Sequence, residues 1–482
     1  MNYLKINKLP SVLTPLAIAL LLAACAAIPP ESDTLQQRDA AGVQLASGIK
    51  LAREGWPAAR WWTRYDDAQL TGLIDAALKD APSLATTATR VRTAEAAVAT
   101  QHAADGLNVT ADAAINRQRY SANGMFPPPI GGTWFTDYSA TLRASYDFDF
   151  WGKHKAAIAA AVGDVNANRA DLAQAEQVLA ATVAQTYYKL QADWARLAVL
   201  REQRSQQVAL NELRKKRVDR GLDPITTRQA AQGDLAVTDR QIAMLESQAG
   251  QDREALRALI GGDAKALADL KARPLPKADS AAPASLGFAL LAHRADLQAA
   301  RWRVESNLSR IESAKAAFYP TIEISASFGL DSIDTSNLIN WESRAASFMP
   351  SISLPIFDSG RLAAQLGTQR AKRDEAIADY NQALVNAVRD VAQQIVAAQG
   401  LEAQTRAQAD GQRAADAQLK AATARLKTGL VDRSAQIQAQ LAVLGQRDLA
   451  LQLQQARLDT DIALTRALGG GYSAPAQTAA AE

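Results

Sequence analysis

Cysteine is almost missing from this chain of 482 residues: Cys25 is the only one, so neither an internal disulfide nor a cysteine-built metal site can form. Histidine is nearly as scarce. His102, His154 and His293 stand far apart, and none has a histidine or cysteine three or four residues away, which argues against zinc. There is no phosphate-cradling glycine loop, no Gly-x-Ser-x-Gly elbow and no dinucleotide fingerprint, so catalysis and cofactor binding find no footing. Neither sign of charge dominates. With residues 1–24 set aside, 51 basic residues face 50 acidic ones, which gives no support to nucleic-acid binding. Aromatic residues are only 6% of a chain that is 48% hydrophobic, a balance that favours long, closely packed alanine-rich helices over a bulky core.

What is there begins with an export signal. Lys5 and Lys8 precede an apolar run from Val12 to Ala24 that is short for a membrane span. It ends Leu22-Ala23-Ala24-Cys25, which resembles a bacterial lipobox. That resemblance implies N-acyl and S-diacylglycerol lipid on Cys25, no other cofactor, and, with Ala26 rather than Asp next, delivery to the outer membrane. The alternative is an ordinary signal that happens to contain a cysteine.

The chain then repeats itself. An offset of 208 places Arg217-Val218-Asp219-Arg220-Gly221-Leu222 on Arg425-Leu426-Lys427-Thr428-Gly429-Leu430, Gly152 on Gly360, and Gly261-Gly262 on Gly469-Gly470. Upstream the offset becomes 213, with Leu84 on Leu297 and Arg90 on Arg303. Punctuation that coincides in this way marks an internal repeat rather than shared composition. The expected segments are a signal peptide (1–24), a lipidated tether (25–60), a first repeat (61–262), a linker (263–293), a second repeat (294–470) and a disordered tail (471–482). Trp61-Trp62 in the first repeat reads either as a ligand-stacking platform or as a packing wedge.

Within each repeat the hydrophobic period changes from helical to two. Tyr138, Ala140, Leu142, Ala144, Tyr146 and Phe148 alternate with polar residues, as do Ile322, Ile324, Ala326, Phe328 and Leu330. The spacing predicts strands at about 108–118, 137–150, 321–330 and 346–356, with loops at 121–136 and 331–345. Asp147 and Asp149 read as pore-lining acids. Such lengths match the roughly 9–11 tilted residues that cross an outer membrane, although a soluble sandwich face alternates in the same way. Count decides. Four strands in two separated hairpins can neither build a sandwich nor close a barrel, so the chain must oligomerise if they span.

Proline is absent from Lys153 to Arg220, 68 residues, and Leu179, Val183, Tyr187, Leu190, Trp194 and Leu197 follow coiled-coil-like steps. Helical hairpins are therefore predicted at 153–260 and 361–468, reversing at Gly221 and Gly429, where glycine can take a left-handed conformation. The leucines that follow, Leu222 and Leu430, are either tucked into the hairpin or offered to a partner.

Tyr146-Asp147-Phe148-Asp149-Phe150-Trp151-Gly152-Lys153, Phe318-Tyr319-Pro320-Thr321-Ile322, Leu354-Pro355-Ile356-Phe357-Asp358-Ser359-Gly360-Arg361 and the closing Ala467-Leu468-Gly469-Gly470-Gly471 resemble the signatures of TolC-like outer-membrane efflux proteins of the lipidated NodT type. The resemblance covers nearly the whole mature chain. It implies a mainly α fold with transmembrane β: a homotrimer whose strands close one twelve-stranded barrel, continued by an α-helical periplasmic tunnel and lipid-anchored in the outer membrane. It also implies a passive duct for small molecules, without catalysis or metal, served by an inner-membrane pump through a periplasmic adaptor. On that footing Arg217, Gly221, Leu222, Arg425, Gly429 and Leu430 would dock the adaptor, while Asp223, Asp432 and Gln438 would stand at the gate. Gln438 replaces an aspartate common in relatives, and Arg294-Ala295-Asp296 replaces Arg-Pro-Asp. Two alternatives stay open: a duct for a secreted polypeptide, and a non-pore periplasmic adaptor.

Overall fold

A strand that alternates apolar and polar residues presents one face of each kind, and antiparallel partners share those faces. In the computed structural model, which describes residues 28–31, 34–39, 56–263, 265–278 and 293–473, four such strands meet. They are β1 (Asn108–Arg119), β2 (Trp134–Phe148), β3 (Thr321–Ser332) and β4 (Arg344–Ser353). The two hairpins are not separate, as the sequence suggested. They form one antiparallel sheet in the order β1-β2-β3-β4, because β2 of the first repeat pairs with β3 of the second. Cys25, the rest of the signal region and residues 474–482 lie outside the described residues.

Register sorts the side chains. One row runs Ala111, Leu142, Phe328, Ala346, and the next runs Asp112, Thr141, Gly329, Ala345. The face of the first row also carries Val109, Ile115, Phe348 and Ile352, all exposed, and a large exposed apolar face calls for lipid or protein cover. The opposite face is polar, and there the Ser327 and Ser347 hydroxyls lie 2.7 Å apart. All five strand acids, Asp112, Asp137, Asp147, Glu323 and Asp331, fall on this polar face by the alternation.

Strand ends differ from expectation where the backbone cannot pair. β4 stops at Ser353 rather than 356, with Pro355, which has no N–H to donate, just beyond its end. β2 stops at Phe148, so Asp149 lies past the strand: its carboxylate accepts the Lys155 N–H at 2.8 Å, at the start of the following helix. Asp358 does the same for Leu362 N–H at 2.8 Å. These carboxylates, each followed by a glycine at positive φ (Gly152, 73°; Gly360, 84°), turn strand into helix.

Seven helices carry most of the described chain: α1 (Ala68–Asp80), α2 (Pro82–Ala104), α3 (Lys153–Asp219), α4 (Ile225–Leu259), α5 (Ala295–Ala316), α6 (Arg361–Lys427) and α7 (Arg433–Ala467). Both α3 and α6 have 67 residues, on the order of 100 Å of helix each. Two compact units draw on both repeats. The first comprises Val91–Asn168, Ala300–Tyr380 and the described residues up to Gln37, and it contains the sheet. Here α5 approaches α3 so closely that a Cβ on Gly163 would lie 2.9 Å from the Ser306 Cβ, and Ser306 Oγ donates to Ala160 O at 2.9 Å. The tether is fixed in this unit as well. Ile28 packs on Ile311, Phe318, Leu362 and Leu366, Arg370 donates to the Pro29 carbonyl at 2.8 Å, and Arg373 pairs with Glu31.

The second unit, among the described residues, comes from Arg38–Arg90, Arg169–Ala299 and Asn381–Glu482. Trp61 is 2% exposed and, with Trp62 and Tyr65, packs beside Tyr187, Tyr188, Leu70 and Ile74, so these rings form a packing wedge and not an open platform. Arg64 reaches buried Asp461 at 2.7 Å, which also accepts from the Tyr65 hydroxyl at 2.7 Å. The Ala295 that replaces proline simply opens α5, while Arg294 donates to the Ala467 carbonyl at 2.8 Å. The predicted disordered tail starts held: the Tyr472 carbonyl lies 3.2 Å from His293 Nδ1.

Crowding at Gly163 and open space at Gly233 make opposite expectations. Gly163→Leu should destabilise by about 1–3 kcal/mol, whereas Gly233→Ala, on an unobstructed helix surface, should stabilise by about 0.5–1 kcal/mol. Thermal melts of the detergent-solubilised protein followed by helical circular dichroism check both signs.

Candidate functional site at the hairpin tips

Each hairpin reverses by the same hydrogen-bonded stop. At the first tip Gly221 N–H donates to Val218 O and Leu222 N–H to Arg217 O, both at 2.9 Å. At the second, Gly429 N–H donates to Leu426 O at 3.1 Å and Leu430 N–H to Arg425 O at 2.9 Å. This is the Schellman arrangement, with glycine at φ 70° and 74°. A Cβ at either glycine would meet nothing within 4 Å, so backbone conformation rather than crowding requires glycine there. The leucines point outward. Leu222 is 63% and Leu430 75% exposed, which decides against their being tucked into the hairpins.

Arg217 is engaged within the chain. Its Nε and Nη2 donate to the two Asp223 carboxylate oxygens at 2.8 and 2.9 Å, and its Nη1 reaches Asp432 at 3.3 Å. A guanidinium fork suits such two-point recognition. In this structure Arg217 ties the first tip to the start of α7. Asp432 has two roles, because its other oxygen accepts the Ala435 N–H at 3.2 Å as the helix cap. Hydrogen bonds from Arg217, reinforced by its charge, hold the Asp223 carboxyl below its ordinary value, and the same contact raises Arg217.

The two tips are not equivalent. The repeat offset puts Val431 where Asp223 stands, so Arg425 has no matching acid and makes no ion pair among the described residues. Gln438 lies exposed on α7, outside the network. Sequence reasoning missed Arg214, which donates to Thr227 O at 3.3 Å across the first turn, although its place one helical turn before Arg217 put both on one face. It also missed links along the helices. Arg196 joins α3 to Asp448 of α7 at 2.8 Å, and Lys189 joins α3 to Asp252 of α4 at 2.9 Å. Beside the latter, the Asp193 carboxyl is pushed up to about 7, first by burial and then by the charge of Asp252. Among the described residues no group of His, Cys, Asp and Glu could hold a metal ion.

Comparison with known proteins agrees with this architecture. The chain is 38% identical over 462 residues to the multidrug resistance outer membrane protein MdtP of Escherichia coli O6:H1, covering 94% of this chain and 95% of that one. It is also 38% identical over 467 residues to MdtQ of the same organism, covering 94% and 97%. Among solved structures, the outer membrane protein VceC of Vibrio cholerae superposes with a TM-score of 0.77 at 30% identity, over 86% of this chain and 100% of VceC. Residues 73–262 and 288–470 match the family described as outer membrane efflux protein. With both repeats covered and near-full-length relatives, the chain belongs to the outer membrane efflux protein family and is an outer-membrane channel protein.

Proposed function

We propose that three copies of this chain form the exit duct of a tripartite pump that expels small molecules across the outer membrane, with no catalytic step of its own. The observation that carries this reading is the open sheet. Four strands with one apolar face leave the outer edges of β1 and β4 unpaired, and lipid does not tolerate such edges. Pairing β4 of one copy with β1 of the next removes every edge, and three four-stranded sheets give a twelve-stranded barrel whose polar, acid-bearing face lines the passage. The relatives' names, which speak of multidrug resistance, favour small molecules over polypeptides as cargo.

The helical tips are the docking and gating end in this reading. Exposed Leu222 and Leu430 offer an apolar contact to a periplasmic adaptor, with Arg425 available for its carbonyls or carboxylates. Arg217, Asp223 and Asp432 hold the resting mouth, and the link between the tips, the exposed Arg217–Asp432 contact at 3.3 Å, is weak enough to open. Gln438 supplies no charge at that level. Acylation of Cys25 fits the fixed tether. Ile28, three residues after Cys25 in the sequence, is seated on Phe318 and Leu362, at the helix end of the sheet.

Replacing Gly221 and Leu222, or Gly429 and Leu430, with bulky charged residues should abolish drug export while a trimer persists by mass measurement in detergent. Cysteines at Asp219 and Lys427 should cross-link to the adaptor, and normal export by the tip variants would refute the docking role. For the latch, the Asp223 carboxyl lies below its ordinary value of 3.8, so its pair with Arg217 contributes fully at neutral pH and is lost only as pH falls through the depressed value. Asp223→Asn should therefore raise single-channel conductance at neutral pH to a level the unaltered protein reaches only in acid below 3.8. Cys25→Ser should abolish incorporation of labelled fatty acid yet leave some membrane association through the strands.

A further inference from the structure

Charge is divided between the two faces of the sheet. Its four arginines are Arg117, Arg119, Arg143 and Arg344. Arg143 lies on the polar face with all the acids. The other three fall on the apolar face, where alternation places Arg117 and Arg119 in line with Val109 and Ile115, and Arg344 in line with Phe348 and Ile352. All three stand at the end where loops, not helices, join the strands. Two have a tryptophan beside them: the Arg117 guanidinium sits 5.7 Å from the Trp134 ring centre and that of Arg344 3.4 Å from Trp341. Both rings are open to the surroundings, Trp134 at 62% and Trp341 at 73% exposure. Arg119 is braced by its Nε–H donating to Gly132 O at 3.1 Å. None of the three makes an ion pair among the described residues.

Arginine on a lipid-facing surface is costly unless it sits where hydrocarbon ends and finds an anion there. The strand acids that could have neutralised these arginines are on the other face. We propose that the loop-side rim of the apolar face is a binding site for phosphorylated lipid headgroups of the outer leaflet, with Arg117, Arg119 and Arg344 holding phosphate and Trp134 and Trp341 flanking it at the interface. The guanidinium fork matches phosphate geometry, and amphipathic tryptophan belongs at headgroup level. An apolar wall runs straight on from the arginines, so the ligand carries acyl chains as well as phosphate. Topology adds a second feature. Arg117 and Arg119 lie on β1 and Arg344 on β4, the opposite edges of the sheet, so closing the barrel brings Arg344 of one copy beside Arg117 and Arg119 of the next. Each joint between copies then gathers three arginines, and a phosphorylated lipid bound there bridges two subunits.

This site rests on the reading that the strands span the outer membrane, and the test separates the two. The acylated full-length protein in detergent is titrated with diphosphorylated lipid A, with its dephosphorylated form and with inorganic phosphate, and bound lipid is counted by native mass spectrometry. The unaltered trimer should retain the diphosphorylated lipid in preference to the dephosphorylated one, and the preference should fall about fivefold for each arginine removed in R117Q, R119Q and R344Q. Arg143→Gln, which lowers net charge equally on the other face, should leave it unchanged. Arg344→Gln alone suffices should the triple variant fail to assemble. Equal retention of both lipids by the unaltered protein, no effect of R344Q, or displacement of lipid by millimolar phosphate would overturn the site. In cells, thiols introduced by Leu142→Cys and Phe328→Cys should resist a membrane-impermeant maleimide. If they label, the spanning reading fails. If they stay protected while the lipid preference is missing, the headgroup site alone is refuted.

Discussion

Backbone hydrogen bonding in lipid is the constraint from which the rest of this molecule follows. A strand that enters hydrocarbon must have both of its edges paired, and the described residues of one chain supply only four strands, so the sheet is left with two open edges. The internal repeat prepares the closure. Because β2 and β3 come from different repeats yet pair with each other, one chain already contains a repeat-to-repeat joint. The same kind of joint, made between β4 and the next β1, is what the proposed trimer uses.

The helical part meets a different constraint, that of stopping and reversing very long helices. Gly221 and Gly429 solve it identically in backbone terms, whereas the side chains around them have diverged. Asp223 gives Arg217 a two-point partner, and Val431 leaves Arg425 without one. A duplicated frame has thus acquired one latched tip and one unlatched tip. Surface ion pairs of this type can be exchanged for contacts with another surface, which suits the proposed mouth, held at rest and released on docking.

The sheet divides charge by face as well as polarity. Acids crowd the polar side, suited to a hydrated passage, while three of the four arginines gather at one end of the apolar side. That placement gives the sheet a vertical polarity that its hydrophobic pattern lacks: one rim carries guanidinium and tryptophan, and the other carries a stack of Trp151 on Tyr319, ring centres 4.9 Å apart.

Much of this was legible in the residues because it is written in local periods. Alternation along Tyr138–Phe148, the proline-free run before Gly221 and the 208-residue offset depend only on neighbours in sequence and on backbone geometry, and they determined the element types, the duplication and the two reversals. Three things were beyond reach for one reason, that they depend on which segments meet in space. The pairing of β2 with β3 joins residues more than 170 positions apart, so no local pattern encodes it. Asp149 reads as one more acid in an alternating strand until the chain's turn puts it under the Lys155 amide. Arg217 looked free for a partner protein because Asp432, 215 residues away, reaches it only once both hairpins are folded. Sequence alone determined what each segment is, through covalent periodicity and glycine conformation; the tertiary structure alone decided what each charged side chain faces, because electrostatic contacts act over a few ångströms whatever the separation along the chain.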